Sequence, residues 1–129
     1  MIRLLLVDDH ASFRELLMLR LQVETDIAIV GEVGSLRAAR ELLPGILQDI
    51  DVALLDLDLP DGTGSTLIPE MLQGNPNIQV IVLTASGDPR RHASAIAAGA
   101  VTTLFKDIPA AEIVAEIRKI GSGGSQLAP

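Results

Sequence analysis

Residues 52–57 read VALLDL, a run of apolar and mostly branched side chains that carries a single carboxylate, Asp56, near its end. An antiparallel strand with one face in water alternates polar and apolar residues. A run this uniformly apolar is instead typical of a parallel strand that helices cover on both faces. Four further runs of this kind lie at residues 2–7, 27–30, 80–83 and 101–105.

Segments with the periodicity of amphipathic helices separate these runs. Crossovers between neighbouring parallel strands are almost always right-handed, and each connection here is long enough to hold a helix. The alternation therefore predicts five β-α units that form an α/β domain, a doubly wound five-stranded parallel sheet.

Local signals indicate where the helices begin. Ser12 and Glu15 have the spacing of a capping box at the start of the first helix, which we expect to end near Thr25. Ser35 is the predicted N-cap of the second helix, and Pro44 is expected to break or bend it. The predicted buried stripe of the first helix consists of Phe13, Leu16, Leu17 and Leu21.

Composition excludes several classes of protein. The chain has 129 residues, with 10 Lys and Arg against 17 Asp and Glu, so its net charge is −7. This acidity argues against direct binding of nucleic acid or of anionic lipid by this domain. The absence of Cys excludes disulfides, thiolate zinc sites and cysteine catalysis. No apolar run approaches the length of a membrane span, and the first residues show no signal-peptide pattern. We therefore expect a cytoplasmic protein without membrane contact.

Polar side chains follow four of the five predicted strands. Asp8 and Asp9 end the first, Asp56 the third, Thr84 the fourth and Lys106 the fifth. Ligands of doubly wound sheets bind beyond the carboxyl ends of the strands, so these side chains are expected to share one crevice. Grouped carboxylates without His or Cys partners suit a hard cation, Mg²⁺ first and Mn²⁺ as a second choice. A nearby ammonium and hydroxyl suit an additional anion such as a phosphoryl group.

Each of these residues also has an ordinary structural explanation when it is taken alone. An Asp after a strand is most often a cap or turn residue, and a Lys is usually a solvated charge. The coincidence at one sheet edge favours a functional site.

The motifs resemble those of response-regulator receiver domains of two-component signalling over residues 1–121. They are Leu6-Val7-Asp8-Asp9-His10, the stretch from Leu55 to Gly62, Val82-Leu83-Thr84-Ala85, and Leu104-Phe105-Lys106-Asp107. The resemblance implies a flavodoxin-like (βα)5 fold with strand order 2-1-3-4-5. It also implies a signalling domain rather than an enzyme.

Carried over to this sequence, the resemblance makes Asp56 the phosphoacceptor, with a sensor histidine kinase as the donor. Asp9 and Asp56 would ligate Mg²⁺, together with the main-chain carbonyl of Asp58, and Asp8 would act through a bound water. Lys106 would pair with the phosphoryl oxygens and Thr84 would hydrogen-bond them. His10 is expected to have a structural role at the turn.

The Asp-Asp-His sequence and Lys106-Asp107 resemble the receivers of LuxR-type transcription regulators. That resemblance implies a homodimer and DNA binding through a C-terminal helix-turn-helix domain. We expect residues 1–120 to form the receiver domain. Residues 121–129, rich in Gly and Ser, are expected to be a flexible linker or tail, the start of a linker to an output domain that this chain lacks.

One position departs from the family pattern. Receivers usually carry Tyr or Phe three residues before the Lys, where the ring moves inward as the Thr hydroxyl engages the phosphoryl group. Here the position holds Thr103, which lacks the volume for that movement. We therefore expect the signal to pass mainly through the loop around Ser86-Gly87 and the helix after it.

Two other functions remain open at this point. A degenerate receiver that acts only as an interaction module would have no reason to keep a cation site. The stretch Asp56-Leu57-Asp58 resembles the Asp-x-Asp motif of haloacid-dehalogenase-type phosphatases. In those phosphatases, however, the motif lies on the first strand, whereas here it lies at the third. Turnover of a phosphate ester would identify the phosphatase.

Overall fold

The computed structural model describes residues 1–122, and the predicted linker residues 123–129 lie outside the described part. When its strands are numbered along the chain, the five-stranded parallel sheet has the order 2-1-3-4-5, as predicted. The strands are β1 (Ile2–Val7), β2 (Ile27–Val33), β3 (Val52–Asp56), β4 (Gln79–Thr84) and β5 (Thr102–Phe105). The helices are α1 (Ala11–Gln22), α2 (Leu36–Ile46), α3 (Leu67–Gly74), α4 (Pro89–Ala98) and α5 (Ala110–Gly121).

Helices cover both faces of the sheet, which makes the domain doubly wound. On one face α1 and α5 pack through residues such as Leu17, Leu21 and Ile117. On the other, α2, α3 and α4 pack through residues such as Leu43, Met71 and Ala95. The central strand β3 is buried over its full length, which explains why every residue of VALLDL except Asp56 is apolar. Within residues 1–122, no helix is long and apolar enough to cross a membrane.

The predicted capping box of α1 is wrong. The helix begins at Ala11, one residue before Ser12, and its N-cap is His10, whose side chain makes no capping hydrogen bond. The helix also ends at Gln22, earlier than predicted. Leu16 is 62% exposed because the buried face follows the four-residue spacing of Phe13, Leu17 and Leu21, and Leu16 lies outside that row.

The second helix begins as predicted and ends later than predicted. The Ser35 side chain accepts a hydrogen bond from the Ala38 amide, which confirms its role as N-cap. Pro44 lies inside α2, which continues to Ile46 before a short 3-10 helix, Leu47–Asp49. The last helix includes Gly121, so it extends one residue into the segment predicted as linker.

Candidate functional site

The carboxyl edge of the sheet gathers the polar residues that the sequence placed at strand ends. Asp56 is the last residue of β3 and pairs with Leu83, directly before Thr84 at the end of β4. Thr84 in turn pairs with Phe105, directly before Lys106. Asp8 follows β1, whose Val7 pairs with Leu55 of β3. The parallel register therefore brings all four polar side chains to one edge.

A buried ion cluster forms at this edge. The Nζ atom of Lys106 lies 2.7 Å from Oδ2 of Asp8 and 3.1 Å from Oδ2 of Asp56. Both carboxylates are almost fully buried, with Asp8 1% and Asp56 2% exposed. Burying an unpaired charge is energetically costly. The Lys106 ammonium offsets this cost for the two adjacent buried carboxylates.

Burial raises the pKa of Asp56 above the ordinary value of an aspartate. The Asp58 amide opposes this, because it donates a hydrogen bond to Asp56 Oδ1 at 3.0 Å, and so does Lys106. The nearby Asp8 charge adds to the rise. The surroundings of Asp56 thus disfavour additional negative charge unless a further cation is bound.

His10 lies within this cluster, which the sequence did not predict. Its Nδ1 atom is 2.8 Å from Lys106 Nζ and 3.3 Å from Asp8 Oδ1. The same atom lies 3.4 Å from Asp9 and 3.7 Å from Asp56. The expected turn role holds for the backbone, since the His10 amide donates to Asp8 Oδ1 at 2.8 Å. The only sequence signal for the side chain was its place directly after Asp8-Asp9.

The donor atoms suit a hard divalent cation. One ligand atom from each of Asp8, Asp9, His10 and Asp56 lies within 4.8 Å of the others. Asp8 Oδ2 forms an ion pair with Lys106 but accepts no hydrogen bond from the described residues, so this buried oxygen can take another positive partner. A set composed mainly of carboxylate oxygens fits Mg²⁺ or Mn²⁺.

The loop after β3 is fixed by two acidic residues. The Asp58 side chain pairs with Arg91 of α4 through contacts of 2.7 and 3.3 Å, and Arg91 lowers the pKa of Asp58. The Asp58 carboxylate is thereby turned to α4, which leaves its main chain beside Asp56. Asp61 accepts hydrogen bonds from the amides of Leu36 and Arg37 at 2.8 and 2.9 Å, so it caps α2 from this loop. Sequence reasoning found neither contact.

Thr84 and Thr103 make different contacts. The Thr84 hydroxyl is buried and accepts a hydrogen bond from the Ser86 amide at 3.0 Å. The Thr103 hydroxyl lies 2.7 Å from Nδ1 of His92 in α4. Phe105 is 46% exposed, and its ring lies 5.2 Å from the His92 ring.

A cleft of about 260 Å³ opens beside the cluster. It is lined by Thr84, Ala85, Phe105, Lys106 and Asp107. The small side chain of Ala85 leaves room in this cleft beside Lys106.

The chain is similar to known signalling proteins. The response regulator receiver domain family matches residues 4–118. The DNA-binding transcriptional activator DevR/DosR of Mycobacterium tuberculosis is 35% identical over 127 residues, which cover 98% of this chain and 58% of that protein. This chain thus spans about three fifths of the length of that relative.

Solved structures agree with this assignment. The signal receiver domain of a response regulator, NarL, from Mycobacterium tuberculosis is 30% identical, with a TM-score of 0.84 and coverage of 95% of this chain and 97% of that one. A LuxR-family two-component response regulator from Aurantimonas is 26% identical, with a TM-score of 0.83 and coverage of 94% and 85%. The chain belongs to the response regulator receiver domain family, and its relatives are regulators of the LuxR family.

Proposed function

We propose that this receiver domain accepts a phosphoryl group on Asp56 in a reaction that depends on a divalent cation. The observation that carries the proposal is the buried cluster at the sheet edge, where Lys106 Nζ lies within 3.1 Å of both Asp8 and Asp56. A lone ammonium between two buried carboxylates, beside an open cleft, is arranged for an incoming anion and a second cation.

The transfer would form a bond between an Asp56 carboxylate oxygen and phosphorus. The bond between phosphorus and the donor breaks, and its electron pair leaves with the donor, an imidazole of phosphohistidine or the acetate of acetyl phosphate. Lys106 neutralises charge on the phosphoryl oxygens as they approach. Thr84 can exchange its hydrogen bond with the Ser86 amide for one to a phosphoryl oxygen.

Asp9, Asp56 and the main-chain carbonyl of Asp58 would hold Mg²⁺ or Mn²⁺, with Asp8 contributing through a bound water. When bound, the cation supplies charge neutralisation for the carboxylate and the phosphoryl group. The Asp58 contacts support this assignment, because its amide bonds to Asp56 and its carboxylate to Arg91.

In the cell, the donor would be a sensor histidine kinase, and the domain would act as a signalling switch without catalytic turnover. DNA would be bound by a C-terminal output domain of the whole regulator, and not by this acidic domain. We further propose that the regulator is cytoplasmic and works as a homodimer. The DNA-binding activator among the relatives supports the proposed DNA-binding output domain, and the two-component regulator supports the proposed kinase donor.

The test is the intact mass of the protein after incubation with acetyl phosphate and Mg²⁺. We expect one added phosphoryl group, lost in Asp56→Asn and lost without the metal. Asp49→Asn is the matched control, since it makes the same change at an exposed residue away from the site, and it should leave the adduct in place. An absent adduct together with absent Mg²⁺ binding would instead indicate an interaction module, and continuous release of phosphate from a generic ester would indicate a phosphatase.

A further inference from the structure

His92 links the two threonines of the site. Its Nε2 atom lies 2.8 Å from the Ser86 carbonyl oxygen, and its Nδ1 atom lies 2.7 Å from the Thr103 hydroxyl. The Ser86 amide, in turn, donates to the Thr84 hydroxyl at 3.0 Å. A path of three hydrogen bonds, joined through the backbone of Ser86, therefore runs from Thr84 at the site through His92 of α4 to Thr103 on the edge strand β5.

The direction of each hydrogen bond follows from its donors. A carbonyl oxygen can only accept, so the Nε2 atom of His92 carries the hydrogen that faces Ser86. In the neutral ring, Nδ1 is then the acceptor and the Thr103 hydroxyl donates to it. Both ring nitrogens are satisfied, and the ring also contacts Phe105. Valine at residue 103 would fill the same space as threonine and could not donate.

The sequence places His92 where this contact is possible. It lies three residues before Ala95, the buried residue through which α4 packs on the sheet, so both side chains share the inward face of the helix. The start of α4 is fixed by Asp88, whose side chain accepts from the Arg90 amide and whose own amide donates to the Ser86 hydroxyl. These two hydrogen bonds connect the loop to the first turn of α4, the helix that carries His92.

We propose that His92 is the positioning residue that holds the loop of residues 85–88 in its unphosphorylated arrangement and so couples Thr84 to Thr103. This inference rests on the proposed function of Asp56. When the Thr84 hydroxyl turns to the phosphoryl group, the Ser86 amide loses its acceptor. The loop then shifts, and the Ser86 carbonyl leaves His92. The histidine from α4 thus takes over the coupling that an aromatic ring at residue 103 would otherwise provide.

The test uses fluoroberyllate with Mg²⁺ as the phosphoryl probe and ¹⁵N spectra of the imidazole rings. The sequence has two His, so the spectrum holds two rings to assign. We expect fluoroberyllate to move the Nε2 signal of His92. In the unliganded protein, Thr103→Val should move the Nδ1 signal toward that of a nitrogen without a hydrogen bond, whereas Thr103→Ser should leave it in place.

Affinity gives a second readout. The hydrogen bonds of His92 hold the loop in its unphosphorylated arrangement. Loss of one of them in Thr103→Val should therefore tighten fluoroberyllate binding about two- to tenfold. Thr103→Ser should bind as the wild type does. Thr102→Val, on the neighbouring residue of the same strand, is the matched control and should also leave affinity unchanged.

Two results would overturn the proposal in different ways. Fluoroberyllate binding with unmoved His92 signals, or with weaker binding by Thr103→Val, would refute the role of His92 and leave Asp56 as phosphoacceptor. No binding of fluoroberyllate in the presence of Mg²⁺ would refute the proposed function, and the role of His92 with it.

Discussion

Gly64 provides a sharp test of how the loop of residues 57–63, which follows β3, is built. It is buried directly after this loop, and its amide donates to the Leu57 carbonyl at 2.9 Å. A Cβ atom at residue 64 would overlap the Asp56 carbonyl oxygen and lie 3.1 Å from the Asp56 carbonyl carbon. These are backbone atoms that no change of side-chain rotamer can move, so Gly64→Ala must displace the loop from β3.

The cost can be worked from these contacts. Forced overpacking costs about 1–3 kcal/mol, and loss of the hydrogen bond to Leu57 adds about 1 kcal/mol, so we expect a loss of about 2–4 kcal/mol in the free energy of unfolding. At about 3–4 °C per kcal/mol, Tm should fall by about 6–16 °C. Because the loop carries Asp58, Mg²⁺ binding should weaken as well.

The assay is urea unfolding followed by far-UV circular dichroism, because the chain has no Trp. Gly87→Ala is the matched control, since a Cβ at this loop residue meets nothing within 4 Å. Its free energy of unfolding should stay within about 0.5 kcal/mol of the wild type. Equal stability of Gly64→Ala and Gly87→Ala would refute the reasoning.

Three further predictions concern caps and charges. Ser35→Ala should cost about 1 kcal/mol of stability through loss of the α2 cap, while Ser12→Ala should cost little, as denaturant unfolding of both variants will show. Burial raises the pKa of Asp56 in the folded state, so the stability of the wild type relative to Asp56→Asn should be greatest below the unfolded pKa of about 4. It should fall as pH rises through the raised pKa; metal-free thermal unfolding at several pH values measures this, and a rise with pH would contradict it. Lys106→Met should bind Mg²⁺ more tightly in calorimetry, because the ammonium 2.7 Å from Asp8 no longer competes with the cation; weaker binding would contradict this reasoning.

The sequence predicted the sheet and the residues at its edge because both follow from periodicity. Asp8 directly follows one parallel strand, and Asp56 and Thr84 end two others, so the sheet must present these residues together whatever the details of packing. The predicted strand ends were less accurate. For example, β2 continues to Val33 rather than residue 30, because its partly exposed residues interrupt the apolar pattern.

The contacts that shape the site could not be predicted in the same way. Arg91 and Asp58 are 33 residues apart in the sequence, and His92 and Thr103 are 11 apart. Each contact therefore depends on side-chain rotamers and loop geometry. Arg and His on a helix have many possible partners, and periodicity assigns only the face on which they lie. The wrong capping prediction at Ser12 has a similar cause. The turn in which Asp8 accepts a hydrogen bond from the His10 amide leads directly into α1, so the helix begins before Ser12.

The most direct test of the central claim is to locate the phosphoryl group. After incubation with acetyl phosphate and Mg²⁺, borohydride reduction converts an aspartyl phosphate to homoserine, which peptide mass spectrometry identifies by residue. The account predicts homoserine at residue 56 alone. Modification at Asp8 or Asp9 instead, or no modification in protein that binds fluoroberyllate, would contradict it.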